Sequence, residues 1–135
     1  MAYVVSRSIS VTEDELQDTT ILIIDDNVEL LDLLGDWFEN SGYQVGRCED
    51  ADQARAWCLN QKPDFVLCDM TLPRINGLAL VQQLREMGLS VPIFLMSGGS
   101  DPDAETLRRC GADGFFPKPF RPTEVQKKIE HLSCA

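Results

Sequence analysis

Five polar residues in this sequence stand where apolar runs stop. Ile21-Leu22-Ile23-Ile24 gives way to Asp25-Asp26-Asn27, and Phe65-Val66-Leu67-Cys68 runs straight into Asp69. The run ending at Met96 meets Ser97, and Gly114-Phe115-Phe116 gives out just before Lys118. If these runs are neighbouring strands, three carboxylates, a hydroxyl and an ammonium share one rim. Three carboxylates packed together repel one another and resist ionising unless a cation lies among them. Hard oxygen donors of this kind suit magnesium, with manganese as a substitute, because magnesium takes few protein ligands and keeps its other positions for water or phosphate. Phosphoryl chemistry is the natural hypothesis.

Each residue also has a blander role. Asp25 and Asp26 could cap a helix that begins at Asn27 or Val28, where acidic side chains are favoured. Asp69 could open a turn, Ser97 before two glycines could be plain turn chemistry, and Lys118 could be a solvated surface charge. The combination argues against these roles. Independent caps and turns have no reason to fall at the ends of strands one, three, four and five with complementary charges. Other candidates carry less. His131, the single histidine, falls in the last turn of the last helical pattern, where an imidazolium meets the helix dipole favourably. Trp37 and Trp57 lie in helical patterns and are expected to pack. Gly98-Gly99 belongs to neither a P-loop nor a dinucleotide fingerprint.

The elements that must position the rim follow from periodicity. Apolar runs of strand length alternate with stretches of helical period, which predicts βα units around a parallel sheet. Ile21–Ile24 and Phe65–Cys68 are continuously apolar, as strands covered on both faces require. Tyr43 to Cys48 alternates apolar and polar, which suits an edge strand. Val91 to Met96, with Pro92 among its first residues, and Gly114 to Phe116 complete five strands. Leu30, Leu31, Leu34, Trp37 and Phe38 recur at helical spacing and Ser41-Gly42 closes that helix. Ala51, Ala54 and Cys58 mark a second helix, ended by Lys62-Pro63. Leu80, Val81, Leu84 and Met87 mark a third, ended by Gly88. Asp101-Pro102 reads as an N-cap followed by proline at the first helical position, opening a fourth helix through Leu107 and Cys110. Pro122 opens a fifth, with Val125, Ile129 and Leu132 as its apolar stripe.

Composition bounds the rest. The chain has 135 residues and 44% hydrophobic content, enough for one core and too little for a second folded domain. With 22 acidic against 12 basic side chains the net charge is −10, which repels nucleic-acid phosphates and anionic membranes alike. Cys48, Cys58, Cys68, Cys110 and Cys134 form no CxxC pair and are odd in number, so they read as small buried hydrophobes in a reducing cytoplasm. No run approaches the ~20 apolar residues of a membrane span. Residues 1–19 form a polar, acidic leader. Thr12 and Glu15 have the spacing of a capping box, and a disordered arm is the alternative.

Taken in order, Ile21-Leu22-Ile23-Ile24-Asp25-Asp26-Asn27, Asp69-Met70-Thr71-Leu72-Pro73 with Gly77, Met96-Ser97-Gly98, and Gly111-Ala112-Asp113 leading to Lys118-Pro119-Phe120 resemble the receiver domains of two-component response regulators. The resemblance covers roughly Thr20 to Leu132, within a receiver domain placed at 20–135. It implies a doubly wound, flavodoxin-like α/β fold, with a five-stranded parallel sheet in the order 2-1-3-4-5 and five helices on two faces. Asp69 is then the phosphoacceptor and Asp26 a direct magnesium ligand. Asp25 holds the ion through water, and the backbone carbonyl of Thr71 completes the protein's share. Lys118 pairs with Asp69 and later with the phosphoryl group, and Lys118-Pro119 is cis. Ser97 donates its hydroxyl to the phosphoryl group, and Phe115 is the aromatic switch. Phenylalanine replaces the family's common tyrosine, so Phe115 can only pack.

The implied protein is a phosphorylatable signalling switch that assists its own magnesium-dependent phosphorylation and dephosphorylation. Its implied partners are a histidine kinase or phosphotransfer protein and a downstream protein target, with homodimerisation through the helix 4, strand 5 and helix 5 face as a further expectation. No direct nucleic-acid or membrane contact is expected, and the location is cytoplasmic. The sequence leaves no room for an output domain, so the chain is a stand-alone receiver or a piece of a larger regulator or hybrid kinase. Three rivals fit less well, and the intact Asp25, Asp26, Asp69, Ser97 and Lys118 argue against one of them, a receiver fold that no longer takes phosphate and only binds partners. A haloacid-dehalogenase-type phosphatase would carry a second aspartate where Thr71 stands. A flavodoxin would carry a hydroxyl- and glycine-rich phosphate loop where Asp25-Asp26-Asn27 would repel the flavin phosphate.

Overall fold

The computed structural model describes residues 19–133. The leader's capping-box pair Thr12 and Glu15, and Cys134, lie outside them. Five strands alternate with five helices: β1 (Thr20–Ile24), α1 (Val28–Asn40), β2 (Gln44–Cys48), α2 (Ala51–Asn60), β3 (Phe65–Asp69), α3 (Gly77–Glu86), β4 (Ile93–Ser97), α4 (Ala104–Cys110), β5 (Gly114–Pro117) and α5 (Pro122–Ser133). The sheet is parallel throughout, in the order β2-β1-β3-β4-β5. The expected architecture is therefore the observed one.

Side chains alternate across a strand, and the two rows of each central strand feed two separate cores. Leu22, Ile24, Val66, Cys68, Ile93 and Leu95 face α2, α3 and α4, where Ala54, Leu80, Leu84 and Cys110 meet them. Ile21, Ile23, Phe65, Leu67, Phe94 and Met96 face α1 and α5, meeting Leu31, Leu34, Phe38, Val125 and Ile129. That two-sided burial is why β1, β3 and β4 are apolar without interruption. Edge strand β2 differs. A Cβ at Gly46 would lie 2.6 Å from the Trp57 ring, so glycine there lets the α2 indole lie against the strand.

Two local expectations are corrected. The fourth helix is capped by Asp103, whose carboxylate accepts from the Thr106 N–H at 2.8 Å, and not by Asp101 with Pro102 at the first helical position. Strand β4 begins at Ile93, after Pro92, whose carbonyl accepts from the Val66 N–H. On α5, Val125 and Ile129 are buried while Leu132 stays 36% exposed, so the apolar stripe fades at the helix end. Cys48, Cys68 and Cys110 are buried and Cys58 is partly so. Burial raises the Cys48 thiol to about 12 and the Cys68 thiol further, which keeps both protonated and unreactive.

Candidate functional site

The register of the sheet assembles the rim. Ile24 pairs with Cys68, which sets the next residues, Asp25 and Asp69, side by side at the carboxyl ends of β1 and β3. Asp69 pairs with Met96, so Ser97 follows one step on, and Ser97 in turn pairs with Pro117 beside Lys118. In an open parallel sheet this end is where ligands bind. Carboxylate oxygens of Asp25, Asp26 and Asp69 lie within 4.8 Å of one another. Lys118 Nζ stands 3.2 Å from Asp25 Oδ2 and 3.5 Å from Asp69 Oδ1. The Lys118-Pro119 peptide bond is cis.

Burial divides the three acids. Asp25 is inaccessible and Asp69 is 6% exposed, whereas Asp26 faces solvent. Neither member of the doublet caps α1. Asn27 does, accepting from the Leu30 N–H at 3.2 Å, and Asp25 instead accepts from the Asn27 N–H at 2.9 Å. Asp69 makes the matching turn, accepting from the exposed Thr71 at its N–H. Both aspartates are thus held by backbone donors two residues downstream, leaving the second oxygen of Asp25 for Lys118.

The electrostatics follow. Burial pushes the Asp69 carboxyl from its ordinary 3.8 up to about 6; the Thr71 N–H pulls it down, the neighbouring Asp25 pushes it up and Lys118 pulls it down again. One lysine does not neutralise the rim, and that residual negative charge is what a divalent cation would offset. The donor set fits such an ion: three carboxylates converge, one of them open to water.

Ser97 is buried at 2% exposure, and its hydroxyl does not bond to the acidic trio. It lies 3.2 Å from the Ser100 carbonyl and 3.2 Å from Asp101 Oδ1. Phe115 is partly buried against the core on the α2, α3 and α4 side of the sheet. Gly77 earns its identity at the rim, because a Cβ there would stand 2.2 Å from the Asp69 carbonyl oxygen and 2.8 Å from the Met70 Cα. Of the expected site residues, the structure brings together Asp25, Asp26, Asp69 and Lys118, with Thr71 bonded to Asp69 and Ser97 apart. Sequence reasoning missed Asp101, whose proximity to Ser97 was hidden by its apparent role as a cap. It also missed that the nearer partner of Lys118 is Asp25.

Comparison with known proteins agrees with this fold. The family model described as response regulator receiver domain matches residues 21–130. The alkaline phosphatase synthesis transcriptional regulatory protein PhoP of Bacillus subtilis is 32% identical over 113 residues, covering 83% of this chain and 47% of that protein. The chain spans about half the length of the curated relatives it matches. Among solved structures, a CheY-like response regulator receiver domain protein from Methanospirillum hungatei superposes with a TM-score of 0.77 at 26% identity, covering 84% of this chain and 92% of that one. The signal receiver domain of a signal transduction histidine kinase from Syntrophus aciditrophicus gives a TM-score of 0.73 at 28% identity, covering 84% and 89%. With a family match over most of its length, this chain belongs to the response regulator receiver domain family.

Proposed function

We propose that Asp69 is the phosphoacceptor of a two-component or phosphorelay system. One observation carries the reading: in a chain of this family, a strand-end aspartate held at high proton affinity sits 3.5 Å from a lysine and among two further carboxylates. An Asp69 carboxylate oxygen attacks the phosphorus of a phosphohistidine on a histidine kinase or phosphotransfer protein. The new O–P bond forms as the P–N bond breaks, and the imidazole leaves with the electron pair. Catalysis of this kind is positioning plus electrostatics, which this domain supplies.

Asp25, Asp26, Asp69 and the Thr71 carbonyl would hold magnesium, with manganese as a substitute. When bound, the ion offsets charge on the phosphoryl oxygens. Lys118, just past the end of β5, stabilises the same charge. The product adds ~1.5 to 2 negative charges at the rim. Ser97 and Lys118 are drawn to it, and Phe115 follows into the space that Ser97 vacates, shifting the population of the α4, β5 and α5 face. That face meets a downstream protein target or a second copy of the chain. Hydrolysis of the acyl phosphate resets the switch. The domain occupies residues 20–135, after a leader of 1–19, and works in the cytoplasm; among the described residues no helix is long and apolar enough to cross a membrane.

The test is intact mass after incubation with magnesium and acetyl phosphate. Wild type gains one phosphoryl group and Asp69→Asn gains none. Equal labelling of the two removes Asp69 from the role.

A further inference from the structure

We infer that Asp101 is a positioning residue that latches the Ser97 hydroxyl away from the rim in the unphosphorylated protein, so that the side chain on the β4–α4 connection sets how readily the switch turns. The inference rests on the proposed role of Asp69 and goes beyond it. Asp101 is not needed by the helix that follows, because Asp103 caps α4. Its carboxylate turns back instead, and Oδ1 stands 3.2 Å from Ser97 Oγ. The Ser100 carbonyl oxygen stands equally near, at 3.2 Å. Ser97 has one hydroxyl proton and can satisfy only one of these acceptors at a time. A hydrogen bond to a carboxylate is about twice as strong as one to a neutral acceptor, so the Asp101 bond dominates.

The placement gives the contact its consequence. Ser97 continues the β4 row of Leu95, on the α2, α3 and α4 side, whereas Asp69 continues the β3 row of Leu67, on the α1 and α5 side. For the hydroxyl to reach a phosphoryl group on Asp69 it must leave Asp101. The bond held in the resting state is given up on switching and is therefore a cost of it, and any substitution that weakens it shifts the population toward the switched form. Asp101 itself is exposed, so replacing it removes little packing.

The experiment measures the affinity of the magnesium-loaded full chain for beryllofluoride, used as the phosphoryl mimic, by following the Phe115 ring and Gly98 amide resonances. Asp101→Asn keeps the shape and a neutral acceptor, so the expected gain is the difference between a charged and a neutral hydrogen bond, about fivefold tighter binding. Removing a negative charge would by itself favour an anion, and the Ser97→Ala background separates the two causes. A latch acting through the hydroxyl makes the Asp101→Asn effect vanish when Ser97 is alanine. An unchanged affinity in the Ser97 background, or an equal gain in both backgrounds, overturns the latch. Wild type that takes no beryllofluoride overturns the phosphoacceptor reading as well, whereas wild type that binds beside an indifferent Asp101→Asn overturns the latch alone.

Discussion

Replacing Asp69 with asparagine should make the metal-free protein more stable at neutral pH. The cause is the carboxyl whose proton affinity the fold raises from 3.8 to about 6. Such a group binds a proton more tightly when folded than when unfolded, so its contribution is neutral well below 3.8, grows unfavourable as pH rises from 3.8 to about 6, and is fully felt above that. At about pH 7.5 the full linkage amounts to about 3 kcal/mol of destabilisation. Water reaching the rim beside exposed Asp26 screens part of it, leaving about 1.5 kcal/mol as the working figure. Asparagine preserves the shape and can still accept from the Thr71 N–H, while the cost of burying the charge and, second to it, the repulsion with Asp25 disappear.

The assay is urea unfolding of both proteins in EDTA. With a slope of ~1 to 3 kcal/mol/M, the variant's midpoint should lie about 0.5 to 1.5 M higher at about pH 7.5. The gap should fall to about a third at about pH 4.5, where the wild-type carboxyl is largely protonated when folded. Saturating magnesium should stabilise wild type more than the variant, because the cation relieves the same repulsion. A variant no more stable than wild type in EDTA at neutral pH, or a gap that ignores pH, would refute the claim that the rim is electrostatically strained.

Three further outcomes are expected. Gly77→Ala drives a methyl into the Asp69 carbonyl and the Met70 Cα, both backbone, and should cost about 2 to 4 kcal/mol in a urea midpoint despite alanine's better helix propensity. Arg47 makes ion pairs with Asp32, Asp36 and Glu39, all of them exposed; Arg47→Ala should cost about 1 kcal/mol at low salt, and the loss should shrink in ~0.5 M salt. Asp113 accepts from both the Ile93 N–H and Arg85, tying the start of β4 to α3, so Asp113→Ala should cost about 1 to 3 kcal/mol and speed hydrogen exchange at the Ile93 amide.

The sheet was legible because burial on two faces leaves no polar residue inside β1, β3 or β4, and so marks where each strand stops. Those stops are also where the residues of the rim fall, so its members were readable from the sequence. What could not be read was orientation within it. Asp25 and Asp26 are the same residue type one step apart, and a shift of one residue at a strand end exchanges the buried and the exposed member. Only the pairing of Ile24 with Cys68, and the Asn27 N–H that Asp25 accepts, decide which acid turns in. The same ambiguity hid the cap of α4. Asp101 and Asp103 both can cap, and proline after Asp101 favoured the wrong one; the path of the connection, a tertiary matter, gave the role to Asp103.

Placing the charges at strand ends has a physical reason beyond access. Carboxylates that repel would move apart on a loop, and the raised proton affinity of Asp69 would relax away. Here Ile24 and Cys68, fully buried just before Asp25 and Asp69, fix both backbones through the β1–β3 pairing, and the Asn27 and Thr71 N–H groups fix both side chains. The rim therefore keeps a charge state that it does not favour, and a proton and a divalent cation are alternative ways of relieving it. Because both act on the same few oxygens, occupancy by one is felt by the other and by Lys118, which touches both buried acids at once. In the switch proposed above, a site that could relax in isolation would have nothing to pass on to Ser97 and Phe115.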